Sequence, residues 1–158
     1  MEKELDTIKK LLGVKEKDKT HVTLINKLND FESAHGLLIP SDLIEYFKSM
    51  DNAVYELNKD LFQFYGFDDF KSVEQELGNW GGVPNYTNLV NTLHDSKDCF
   101  VFADYMSHLF AYAIRLYKTQ HEANEIYLIC GEQFKVIANS FSEFLGLYLD
   151  DSDELKNI

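Results

Sequence analysis

FVFADYMSHLFAYAIRL, Phe100 to Leu116, holds two apolar runs on either side of a polar centre. With Cys99 before it and Tyr117 after it, CFVFA reads as one strand and LFAYAIRLY as the next. DYMSH between them predicts a hairpin loop of about five residues. In the second run Phe110, Tyr112, Ile114 and Leu116 share one face, and Leu109, Ala111, Ala113 and Arg115 share the other. The small alanines predict a helix lying close against their face. Asp104 and His108, four residues apart, both fall in the predicted loop.

Downstream, EIYLICG and FKVIA flank GEQ and predict a second strand pair. The last helix is predicted in SFSEFLGLYLDD, where Ser140 and Glu143 have the spacing of a reciprocal capping box. Phe141, Phe144, Leu145 and Tyr148 form its apolar stripe. Upstream, LVNTLH reads as one or two helical turns and GNWGGVPNYTN as a loop. DDFKSVEQEL predicts a helix capped by Asp68 or Asp69, whose carboxylates suit a helix N-terminus. AVYEL and LFQFYGF read as short aromatic strands.

Three helices are predicted before them. ELDTIKKLLGV places Leu5, Ile8, Leu11 and Leu12 at helical spacing, with Gly13 as its stop and VKEKDK as a charged connector. THVTLINKLNDFESAHG offers Leu24, Ile25, Leu28 and Phe31, with Gly36 as its stop. LLIPSDLIEYFKSM starts a helix around Pro40, Ser41 and Asp42, with Leu43, Ile44, Tyr46 and Phe47 as its apolar side. Helices first, strands next and a helix last make an α+β fold with a mainly antiparallel sheet. The lack of β-α-β alternation disfavours a doubly wound nucleotide fold.

The 158 residues fit one domain, and a 45% hydrophobic, 14% aromatic composition suits a packed core. No apolar run approaches the ~20 residues that span a bilayer, and MEKELDTIKK is charged where a signal peptide is apolar. A cytoplasmic protein is expected, with Cys99 and Cys130 as buried reduced thiols. The first forty residues hold seven Lys against seven Asp and Glu, so the rest of the chain carries the whole net charge of −12. Such a surface repels nucleic-acid backbones and attracts a basic protein.

Chemistry-bearing motifs are sparse. Asp104 and His108 could act as an acid–base pair in a small hydrolase, but no nucleophile motif accompanies them, although Ser107 is adjacent. Solvation of the loop is the preferred reading. His21, His35, His94 and His121 lack metal-site spacing, and the two cysteines lack C-x-x-C spacing. His121, Glu122 and Glu125 read as a solvated loop. Neither metal nor cofactor is expected. GNWGG lacks the Lys-Ser/Thr of a phosphate loop and is expected to present Trp80. Trp80 reads either as a core residue, the preferred reading, or as a binding hot spot; with Tyr86 and Tyr105 it is a candidate aromatic contact for a partner, and Asp68, Asp69 and Asp104 are candidate acidic ones. Residues 150–158 read as a frayed acidic tail.

FESAHGLLIPSDLIEYFKSMDNA, residues 31–53, resembles the helix–turn–Pro–helix opening of the SUKH superfamily through Phe31-Glu32, Gly36, Ile39-Pro40 and Leu43…Tyr46-Phe47. GNW at Trp80, CFVFADYMSHLFAYAI and IANSFSEFLGLYL are similar to that superfamily's mid-chain tryptophan, central hairpin and closing strand-to-helix segment. The resemblance spans residues 22–149, leaving 1–20 as an N-terminal helical extension and 150–158 as the tail. The chain has DNA at 51–53 where the family often has Asn-Gly-Gly, and HDSKD where a Gly-rich turn is common. The resemblance implies a protein-binding module rather than an enzyme. Its implied role is an immunity protein that neutralises a polymorphic toxin, nucleases included, by stoichiometric binding. The alternative it implies is a regulatory adaptor like the yeast Smi/Knr proteins.

Overall fold

The computed structural model describes residues 1–11, 21–50 and 61–158. Among them the order is α1 Glu2–Leu11, α2 Val22–His35, α3 Ser41–Met50, β1 Phe62–Phe64, β2 Lys71–Ser72, α4 Val73–Leu77, α5 Leu89–Thr92, β3 Cys99–Tyr105, β4 Phe110–Arg115, β5 Ile126–Cys130, β6 Gln133–Ala138 and α6 Phe141–Leu149. Two 3-10 turns stand at Phe67–Asp69 and Asp153–Lys156. The strands form one antiparallel sheet in the order β1-β3-β4-β5-β6, with β2 also alongside β3. This is the predicted α+β arrangement. The predicted strand AVYEL, the connector VKEKDK and the Gly13 stop lie outside the described residues.

Two hairpins build the sheet. In the β5–β6 hairpin Cys130 pairs with Gln133 across Gly131 and Glu132, and Gly131 takes φ +60°, a conformation glycine adopts without strain. The β3–β4 hairpin is tighter than predicted. Asp104 and Tyr105 belong to the strand, opposite Ala111 and Phe110, so only Met106 to Leu109 turn the chain. Met106, Ser107 and His108 have φ of 50°, 52° and 70°. Three consecutive non-glycine residues in the left-handed region hold only where their surroundings fix them.

The register of β3 slips between Val101 and Ala103. Before the bulge, Phe100 faces one side of the sheet while Cys99 and Val101 face the other. Phe102 and Ala103 then both face the first side, so parity reverses and Asp104 comes out on the second. Simple alternation from Phe100 would have put Asp104 under the long helices. The bulge delivers it to the side carrying Tyr65, α4 and the hairpin tip.

On the first side, Phe100, Phe102, Tyr112, Ile114, Ile126 and Leu128 pack against α1, α2, α3 and α6. Aromatic rings dominate this layer. Phe62 stacks on Tyr112 at 4.8 Å, and Phe102 meets Phe144 edge-on at 4.9 Å. Such pairs add about 0.5–1.5 kcal/mol each beyond their burial. Leu5 and Ile8 of α1 are buried in the same core, so the predicted N-terminal extension contributes to it. Ile25, expected in the α2 stripe, is exposed instead, because Leu24 and Leu28 define its buried side. On the second side, Ala111 and Ala113 admit Val73 and Leu77 of α4 and Leu89 of α5. Helices do lie on the alanine face, as predicted, but they are the short ones.

Helix ends follow their local chemistry. Gly36 ends α2 at φ +64° and donates its N–H to the Glu32 carbonyl. Ser140 Oγ accepts the Glu143 N–H at 3.1 Å, while the Glu143 carboxylate reaches back to the Asn139 N–H at 2.7 Å, one residue beyond the predicted partner. The predicted cap of α4 is corrected. Phe67–Asp69 closes a 3-10 turn and Lys71 and Ser72 pair with β3, so the helix starts only after Ser72, at Val73. Ser72 and Gln75 form its reciprocal capping box. Asp68 pairs instead with Lys27 at 2.8 Å.

The tail is also corrected. Leu155 is 2% exposed, and its carbonyl accepts the Tyr112 hydroxyl at 2.7 Å. Glu154 pairs with Lys135, and the Lys156 ammonium sits over the Tyr105 ring at 4.8 Å. Both cysteines are free. Cys99 is buried, which pushes its thiol up to about 12, whereas Cys130 is only half-buried. Among the described residues, no helix is long and apolar enough to cross a membrane.

Candidate functional site at the hairpin tip

Asp104, 3% exposed, is one of the few buried polar or charged residues among those described. β3 holds its backbone, and the bulge turns its side chain toward Tyr65, which follows β1. The Tyr65 hydroxyl donates to Asp104 Oδ2 at 2.5 Å. Burial, then this bond to a carboxylate, push the Tyr65 phenol far above its ordinary range, so it stays a neutral donor. Asp104 Oδ1 is buried and has no hydrogen-bond partner among the described residues.

His108 meets the same pair from the hairpin turn. Its Nδ1 lies 3.9 Å from Asp104 Oδ2, and its Nε2 lies 3.0 Å from Glu76 Oε1 and 3.5 Å from the Tyr65 hydroxyl. The hydrogen bond to Glu76 is the main cause that raises the imidazole above its ordinary 6.5. Burial opposes it, and the Asp104 charge assists it. Trp80 stacks on the ring at 4.4 Å and 22°. Its indole Nε1 is buried and without a hydrogen-bond partner among the described residues. Gly82 then passes so close over the indole that a Cβ there would stand 2.8 Å from three of its atoms. From beneath, the Tyr86 hydroxyl donates to the His108 carbonyl at 2.5 Å. These contacts hold the left-handed turn in place.

Asp104, His108, Trp80 and Tyr86 therefore come together, though they were expected for different reasons. The preferred solvated-loop reading of Asp104 and His108 is overturned: the first is enclosed and the second is held on three sides. Tyr86, at 0% exposure, and Asp104 offer no surface to a partner; burial makes them supports of the tip. Trp80 and Tyr105 are half-buried, and Asp68 and Asp69 are exposed. Tyr105 packs with the first-side core beneath Lys156, and Asp68 lies beside α2, so neither joins the cluster.

Sequence reasoning missed Tyr65 and Glu76. Tyr65 reads as one more aromatic in LFQFYGF, and Glu76 as one more charge in a short helix. Chemically, the assembly is a proton-holding network. Tyr65 donates, Asp104 and Glu76 accept, and the His108 ring, whose charged form Glu76 and Asp104 favour, lies between two carboxylates. The described residues contain no group of three or more His, Cys, Asp or Glu able to hold a metal ion.

No curated protein and no solved structure matches the chain. A family does, across the first long helical hairpin, the whole sheet and most of α6. The chain belongs to the SMI1 / KNR4 family (SUKH-1), whose model matches residues 25–147.

Proposed function

We propose that this protein is a binding module of the immunity type, which neutralises a toxin by stoichiometric association and converts no substrate. The observation that carries the reading is the family match over residues 25–147, which supports a protein-binding role at the level of the family. The charge distribution supports a basic partner, because residues beyond 40 carry the entire net charge of −12. A toxin that grips nucleic acid has such a basic surface. In this reading Asp68 and Asp69 supply exposed negative charge. Trp80 and Tyr105 supply partly exposed rings, and Tyr86 and Asp104 act by holding the hairpin tip rigid. The expected place of action is the cytoplasm of the cell that makes the toxin.

Co-expression with each toxin domain encoded beside its gene tests the reading. Rescue of growth and a one-to-one complex on purification are expected. Failure of every neighbouring toxin to be neutralised sinks it. The approach of Asp104 to His108 favours a second reading, a small hydrolase. Asp104→Asn and His108→Gln separate the two: an enzyme loses its turnover, whereas a binding module retains neutralisation wherever the variant still folds.

A further inference from the structure

A concavity of about 560 Å3 lies away from the hairpin tip. Its walls are the α2–α3 corner, the loop 119–124 and the start of α6. Hydrogen bonds tie these walls together. Leu38 N–H donates to the Tyr117 carbonyl at 2.8 Å, and Asn124 N–H to the Asn139 carbonyl at 2.9 Å. Ser142 donates through both its N–H and its hydroxyl to Asp42 Oδ2, at 2.9 and 3.0 Å. His121 stacks on Tyr117 at 3.8 Å, which holds the loop at the mouth. The cavity is thus preformed.

Its lining combines two chemistries. Leu38, 42% exposed, with Pro40 and the half-buried Ile44 gives an aliphatic side. Glu32, Asp42 and Glu122 give negative charge, and among the described residues no Lys or Arg lines the space. Asp42 is fully engaged, since its other oxygen accepts the Leu43 N–H at 2.9 Å. Glu32 uses one oxygen, on the Ile39 N–H at 3.0 Å. Among the described residues, nothing else bonds to that carboxylate and nothing bonds to that of Glu122. Two negative acceptors therefore stand beside an aliphatic wall. An anion would be repelled. A long cation with a hydrocarbon stem satisfies both halves. Arginine suits this better than lysine, because its planar fork can serve two carboxylates at once.

We propose that this concavity seats an arginine side chain of a partner protein, its stem over Leu38, Pro40 and Ile44 and its guanidinium donating to Glu32 and Glu122. The inference rests on the protein-binding reading and assigns that partner a specific anchor. The test needs no toxin. Isotope-labelled protein is titrated with acetyl-Gly-Arg-Gly-amide and followed by amide NMR, beside the same peptide carrying citrulline, which keeps the shape and loses the charge. Saturable shifts confined to residues 38–44, 119–124 and 139–142 are expected, with the citrulline peptide about tenfold weaker. Glu32→Gln keeps an acceptor for the Ile39 N–H, and Glu122→Gln lies on the exposed mouth. Each is expected to weaken the arginine peptide several-fold with an unchanged melting temperature. Equal response to both peptides, shifts scattered over the acidic surface, or no saturable shift overturns the inference. The protein's role is tested separately by the neutralisation experiment, whose outcome does not depend on this anchor.

Discussion

His108 is the residue through which the hairpin tip responds to pH. Its folded pKa lies above the unfolded 6.5, chiefly through Glu76. A group raised in this way contributes stability that is fully present below the unfolded value and is lost as pH rises through the folded value. The protein is therefore expected to lose stability as the imidazole deprotonates above pH ~6.5. Glu76→Gln should flatten most of that dependence in urea titrations across the range. Trp80 reports the event directly. It is the chain's single tryptophan and lies on the imidazole, so its fluorescence should titrate with a midpoint above 6.5 and become flat in His108→Gln. A midpoint at or below 6.5 would contradict the Glu76 pairing.

At the scale of elements, α3 and α6 are joined head to head by Asp42 and Ser142, a hundred residues apart in the chain. One carboxylate oxygen takes a backbone N–H and a hydroxyl from the first turn of α6, while the other caps its own helix. A double-mutant cycle on Asp42→Ala and Ser142→Ala should show favourable coupling of about 1.5–3 kcal/mol, as expected for a hydrogen bond to a charged acceptor. Additive losses would mean that the two helices hold their places independently. The C-terminal turn is equally specific. Leu155→Ala leaves a void under a 2%-exposed side chain and should cost about 2–4 kcal/mol. Hydrogen exchange at residues 153–156 should rise at the same time. An unfrayed, fully protected tail in that variant would show that Tyr112 alone anchors it.

For the whole molecule, charge asymmetry matters more than any one ion pair. Among the described residues, most salt bridges are surface pairs of small value, such as Lys27–Asp68 and Lys48–Glu45. The net −12 acts at longer range. Association with a basic partner should slow several-fold between low and high salt, with a smaller change in dissociation, as surface plasmon resonance would measure. A rate indifferent to salt would remove electrostatic steering from the mechanism. The same excess repels itself within the folded chain, so added salt should raise the melting temperature slightly.

Local chemistry alone determined much of this protein. Gly36 had to end α2 because a left-handed residue was needed there. Ser140 announced α6 through its hydroxyl, and the alternation in LFAYAIRLY announced a strand with a small-residue face. These are interactions between neighbours in the chain, and neighbours are what a sequence displays. Tertiary structure alone decided the rest. Ser72 displaced Asp68 and Asp69 as a cap because Lys71 and Ser72 pair with β3, which keeps the chain extended up to the helix. The bulge at Phe102 reversed the parity of Asp104, and no residue type marks that slip. Tyr65, the stretch from Glu76 to Trp80, and the hairpin with Asp104 and His108 come from three separate segments, so only folding could gather them. The same holds for the cavity beside Glu32 and Glu122, whose walls meet because distant backbone groups complete each other's hydrogen bonds.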